Sequence, residues 1–137
     1  MYFLPHFPKI FFYGILFILM TITKPLFAQI SGTVTIGSGG DFTTFSEAAE
    51  ALNTEGISGP VTLNVLSGTY TEQFELGAIS GTSSSDTIVF QSESGDPADV
   101  TLSFAATSAD DNYLISLNGS RHLSIKNMTF RATGDNY

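Results

Sequence analysis

Residues 37–76, GSGGDFTTFSEAAEALNTEGISGPVTLNVLSGTYTEQFEL, change their hydrophobic period partway along, and that change limits what the chain can fold into. Thr44 and Glu47 fit the S/T-x-x-E capping box, in which side chains satisfy the N–H groups that a helix start leaves without partners. Phe45, Ala48, Ala49 and Leu52 follow at i, i+3, i+4 and i+7, with Ser46, Glu47 and Glu50 opposite, so the spacing predicts a short helix with one apolar stripe. A helix this short is marginal alone and needs a surface on which to bury that stripe. Gly56, Gly59 and Pro60 are expected to end the segment and turn the chain. Beyond them the period becomes 2, with Val61, Leu63 and Val65 on one face and Thr62 and Asn64 on the other, which predicts a strand.

Strand signals then dominate. Besides GTVTI at 32–36, short candidates recur at 73–76, 87–91, 100–104, 113–117, 123–125 and 128–130, separated by Gly, Ser, Asn, Asp or Pro. Two architectures use such a pattern: an antiparallel sandwich or barrel, and a parallel β-helix whose coils each add short strands to stacked sheets. The turns favour the second. In LSIKNMTF the apolar beat of Leu123, Ile125, Met128 and Phe130 skips at Lys126-Asn127, which suits a corner with Asn in the left-handed conformation. Asn118-Gly119 is the one dipeptide of the tight-hairpin kind. Taking Leu63, Ile88 and Ile115 as comparable apolar centres gives spacings of 25 and 27 residues, within the range of solenoid repeats. The amphipathic helix is then expected to cover the open first end of the stack.

Ahead of this region lies an address. Lys9 closes a short basic start, residues 10–22 are an almost uninterrupted apolar run, and Leu26-Phe27-Ala28 places a small residue before Gln29, the pattern of a secretory signal over residues 1–28. An uncleaved anchor is the alternative, although the run is shorter than the roughly 20 residues of a comfortable span. Export to the outside or to a bacterial cell surface is expected. Removal of that segment leaves three basic residues, Arg121, Lys126 and Arg131, against thirteen acidic ones, moving the formal charge from −8 to −10. A field of that sign disfavours nucleic acid and anionic lipid as partners. With no cysteine, disulfides, thiolate metal sites and a cysteine nucleophile are excluded, so stability must come from packing. Residues 29–137 end just after a strand signal and read as the N-terminal cap and first coils of a longer β-helix.

The segments GSGGDFTTFSEAAEAL, VTLNVLSGTYTEQFEL and NYLISLNGSRHLSIKNMTFRATG together resemble the opening coils of the pectin-lyase-like right-handed parallel β-helix superfamily. The resemblance is nearest to the pectin methylesterase pattern, a glycine-rich turn (Gly39, Gly40, Asp41, Phe42, Thr43), a capping helix, and then a G-x-Y-x-E turn (Gly68, Tyr70, Glu72). It extends to large secreted bacterial β-helix proteins. The resemblance implies an all-β fold: a right-handed parallel β-helix, or solenoid, with a short N-terminal capping α-helix. In the esterases the working residues are glutamines, two aspartates and an arginine in motifs such as Q-A-V-A-L and D-F-I-F-G, which do not occur here. No catalytic, cofactor-binding or metal residue is therefore assigned, and no cofactor. The expected role is an extracellular glycan-binding or surface-attachment scaffold, with a polysaccharide as partner. A carbohydrate-active enzyme of the methylesterase or lyase kind, its active site on later coils, is the alternative.

Asp41 is one carboxylate where a hard cation wants six or more oxygens, so it is expected to hold its turn. Asp110, Asp111 and Asn112 form a denser oxygen cluster, but three adjacent side chains converge poorly on one ion and read as a solvated loop. Glu72 and Glu75 invite comparison with a glycosidase pair, yet spacing alone does not set that geometry. His122 beside Arg121 reads as a surface corner, and Tyr70 and Tyr113 as packing residues with a face suited to a sugar ring. Residues 37–40 lack the P-loop and dinucleotide spacings and read as a turn. Asn118-Gly-Ser and Asn127-Met-Thr match glycosylation sequons.

Overall fold

The computed structural model describes residues 28–134, so the export signal expected over residues 1–28 falls almost wholly outside the described residues. Nine strands and one α-helix follow in the order β1 (Ile30–Ile36), α1 (Phe45–Glu55), β2 (Ile57–Val65), β3 (Gly68–Thr71), β4 (Phe74–Leu76), β5 (Ile88–Ser92), β6 (Val100–Phe104), β7 (Ile115–Leu117), β8 (Leu123–Lys126) and β9 (Thr129–Ala132). They form three sheets, ordered β1-β2-β5-β8, β3-β6-β9 and β4-β7, and every pairing is parallel. Successive strands thus fall into different sheets: β2, β3 and β4 make one layer, β5, β6 and β7 pair with them in turn, and β8 and β9 pair with β5 and β6. Asn118-Gly119 makes no hairpin, because β7 and β8 on either side of it belong to different sheets. The parallel architecture is the one the skipped beat favoured.

Register follows the apolar rows. Val61, Leu63 and Val65 are buried and face Ile88, Phe90 and Ser92, while Thr62 and Asn64 alternate with them and Asn64 bonds Gln91 at 3.0 Å. Leu63 therefore faces Phe90, 27 residues on, rather than Ile88, and Phe90 faces Ile125, 35 residues on. Ile115 lies in another sheet, opposite Phe74. The three apolar centres taken from sequence were thus not one row. The corner at Asn127 is as expected, with φ 52°, and His122 adopts the same left-handed region at φ 55°.

Two local expectations are corrected. Gly59 and Pro60 do not turn the chain, because β2 begins at Ile57 and carries both residues in an irregularity where the register passes from Ile30↔Ile57 to Gly32↔Val61. Proline has no N–H to give a ladder, and a bulge is where a strand tolerates it. The G-x-Y-x-E stretch is mostly strand β3, whose mainly exposed residues hide the period that marks a half-buried strand.

Helix α1 buries Phe45, Ala48, Ala49 and Leu52, the stripe read from sequence. Phe45 is fully buried, stacked on Phe74 at 5.4 Å and Phe90 at 6.1 Å, with Tyr70 edge-on at 5.1 Å. One side chain of the helix thus touches aromatic residues from β3, β4 and β5. Gly56 closes the helix, its N–H bonding Leu52 O at 3.1 Å at φ 70°. Ile57 N–H then bonds Ser80 O at 2.9 Å, and a Cβ on Gly81 would meet Ile57 O at 1.9 Å, so only glycine lets these segments approach.

Truncating Phe45→Ala removes the ring at this junction and leaves a cavity between α1 and the strands. The expected cost is roughly 3–5 kcal/mol of unfolding free energy by chemical denaturation, and a loss below about 1 kcal/mol contradicts the packing described.

Candidate functional surfaces

The helix start is held from a distance. Glu72, the residue after β3, accepts the N–H groups of Phe45 (3.0 Å to Oε1) and Ser46 (2.9 Å to Oε2), and the Ser46 hydroxyl at 2.6 Å. Thr44 Oγ1 accepts Glu47 N–H at 3.1 Å, and Thr44 O accepts Ala48 N–H at 3.3 Å. All four N–H groups of the first turn are thus satisfied, and a carboxylate sits where the helix dipole favours one. The capping box differs in one half: the Glu47 carboxylate reaches past the cap to Thr43, accepting its N–H at 2.7 Å as well as its hydroxyl. Glu72 and Glu75 do not form a catalytic pair. Glu72 is committed to the helix, while Glu75 is exposed and meets Asn118 Nδ2 at 3.3 Å.

Other candidates resolve into turns and edges. Asp41 Oδ2 accepts Thr35 N–H at 2.8 Å and the Thr35 hydroxyl at 2.9 Å, tying the glycine-rich turn to the outer edge of β1. Those bonds, the backbone N–H foremost, hold the Asp41 carboxyl below its usual value. The Thr43 hydroxyl and N–H do the same for Glu47. Asp111 caps a single 3-10 turn at Ala109–Asp111, accepting Thr107 N–H at 3.0 Å and Ser108 N–H at 2.7 Å, and these lower its pKa to about 2. Asp110 and Asn112 are exposed beside it, and no group of three or more His, Asp or Glu among the described residues is placed to hold a metal ion. The Tyr70 hydroxyl donates to Leu66 O at 2.8 Å, and burial, followed by the charge of Glu72, raises its pKa. His122 and Arg121 are exposed at the corner before β8, and His122 O accepts Ile88 N–H at 2.9 Å, a ladder contact made by backbone.

Asn53 of α1 acts like a short strand beside β4. Its amide donates to Glu75 O at 3.0 Å and accepts Gly77 N–H at 2.9 Å. Between this face of the helix and β4 runs an open groove of about 370 Å³, lined in part by Ser46, Glu50, Asn53, Gln73, Glu75 and Tyr113. A second groove, about 440 Å³, follows the outer face of α1 past Asp41, Glu47, Glu50 and Glu55 and is strongly acidic. Sequence reasoning assigned neither groove, nor the role of Glu72, because each depends on residues brought together from separate elements. No helix of the described residues is long and apolar enough to cross a membrane. No family model matches the chain, and the searches of curated proteins and of solved structures found no match.

Two outcomes follow. Glu72→Ala strips partners from two helix N–H groups and is expected to cost about 1–2 kcal/mol, with Glu72→Gln losing less; equal stability of all three proteins contradicts the cap. The lowered carboxyls of Asp41, Glu47 and Asp111 contribute stability present above their ordinary values and lost as pH falls through the folded ones. The unfolding temperature should therefore drop as pH falls from 4.5, the ordinary glutamate value, toward about 2, and Asp111→Asn should make the lower part of that drop shallower. An unchanged slope in the variant contradicts the assignment.

Proposed function

We propose that this chain forms the capped first layers of a right-handed parallel β-helix of the pectin-lyase-like kind, exported from the cell and acting as an extracellular scaffold that binds glycan. The observation that carries the reading is the order in which strands are dealt among sheets: β2, β3 and β4 go to three sheets, and β5, β6 and β7 pair with them in the same order. A chain winding about one axis produces that order, and α1 closes the first layer as a solenoid cap must. Export rests on the basic, apolar and small-residue pattern before Gln29.

Glycan binding is assigned to the groove between α1 and β4. Tyr113 supplies a flat apolar ring with a polar tip, and Asn53, Gln73 and Glu50 supply polar groups along the same groove. The acidic character of the chain favours a neutral sugar polymer over a polyanion there. Passing the exported chain over insoluble cellulose and over de-esterified pectin tests this directly. Retention on the neutral polymer, lost about tenfold in Tyr113→Ala while the unfolding temperature stays unchanged, is the expected result. Passage through both columns without delay rejects a glycan-binding role for this groove.

A further inference from the structure

Two tyrosines lie near α1, and the fold treats them differently. Tyr70 packs against the buried core, edge-on to Phe45 at 5.1 Å. Tyr113 is half-buried, stands outside that core, packs on no other aromatic ring among the described residues, and lines the groove between α1 and β4. Core packing alone therefore does not orient this ring, and a polar partner is at hand. Gln73 lies one residue before β4, and its amide finds partners for both of its atoms in one orientation. The nitrogen donates to Asp111 O at 3.1 Å and to Tyr113 O at 3.3 Å, while the oxygen accepts the Tyr113 hydroxyl at 3.2 Å.

Gln73 is itself held on two sides. Its carbonyl accepts the Ser46 hydroxyl of α1 at 3.2 Å. The next residue, Phe74, is buried and donates its N–H to Leu114 O at 3.2 Å, at the start of the β4–β7 ladder. An amide anchored this way grips Tyr113 at two points, the backbone carbonyl and the tip of the side chain, which restricts both χ angles of the ring. It also sets the direction of the hydroxyl. The proton points at Gln73, so Tyr113 has its ring and an acceptor oxygen left for a ligand, and no donor.

We propose that Gln73 is the positioning residue of this groove, holding the Tyr113 ring for stacking and leaving its hydroxyl oxygen to act as an acceptor only. This role rests on the glycan-binding reading and narrows it: a sugar at Tyr113 stacks on the ring and donates one of its own hydroxyls to Tyr113 Oη. Holding the ring before the sugar arrives removes part of the ordering cost that binding otherwise carries. Gln73 acts through Tyr113 rather than by touching the sugar.

The test compares the exported chain with Gln73→Met, which keeps the length of the side chain and removes the amide's bonds, with Tyr113→Phe, and with the double variant. Proton couplings across χ1 of Tyr113, read by NMR without any sugar, should report one rotamer in the parent and averaging in Gln73→Met. Retention on insoluble cellulose should fall about fivefold in Gln73→Met, less in Tyr113→Phe, and no further in the double variant than in Gln73→Met, at closely similar unfolding temperatures. A single Tyr113 rotamer in Gln73→Met, or losses of retention that add in the double variant, overturns the proposal. Averaging of the rotamer without any loss of retention does so as well. If the parent chain passes cellulose without delay, the glycan reading fails, and the couplings alone decide whether Gln73 holds the ring.

Discussion

A layer of parallel strands has two ends, and at each the interior side chains and backbone groups need cover. The burial of Phe45 against Phe74 and Phe90 covers side chains of β4 and β5 with α1, and the remaining contacts of α1 fix how the ring is presented. Glu72 holds the helix start, Asn53 pairs with the edge of β4, and Asp41 ties the preceding turn to β1. The Glu72 and Asn53 contacts join residues 22 to 27 apart in sequence, so α1 and the strands it packs on stabilise each other rather than forming separately. A helix of this length with a small apolar stripe has no independent stability to contribute.

The contrast between the two ends explains the distribution of burial. Core residues of β2, β4, β5 and β6 have neighbours on both sides, β1 or α1 before β2 and β4, β2 and β3 before β5 and β6, and the following strand after each, and reach near-complete burial. Among the described residues, the inward residues of β7, β8 and β9 have cover on one side only, and their exposure rises while their register with the buried rows persists. Exposure of Leu117 and Phe130 is thus a property of position in the stack, not of a reversed face.

Much of the first layer was legible in the residues. Phe45, Ala48, Ala49 and Leu52 form a helical stripe wherever the helix docks, and Asn127 marks its corner because few residues adopt a left-handed backbone cheaply. The layer spacing was harder to read, since 27 residues separate Leu63 from Phe90, 35 separate Phe90 from Ile125, and 41 separate Phe74 from Ile115. Connections of unequal length destroy a fixed period without disturbing the ladders. Strand β3 was hidden because its residues are mostly solvent-facing, and the capping role of Glu72 because a contact across 26 residues leaves no local pattern. Asp41 holds its turn as its sequence context implies, whereas Asp111 is a specific cap rather than a freely solvated side chain.

The central claim is the layered parallel register, and the absence of native cysteine makes it directly measurable. Asn64 and Gln91 are ladder partners on the outward face, and neighbouring strands lie about 4.8 Å apart, within the range a disulfide spans. A chain carrying Asn64→Cys and Gln91→Cys should form an intramolecular disulfide under mild oxidation without loss of thermal stability. A chain carrying Asn64→Cys and Val89→Cys, the pairing that a Leu63-to-Ile88 repeat demands, should not. Efficient closure of the second pair and failure of the first contradicts the register and the layered architecture built on it.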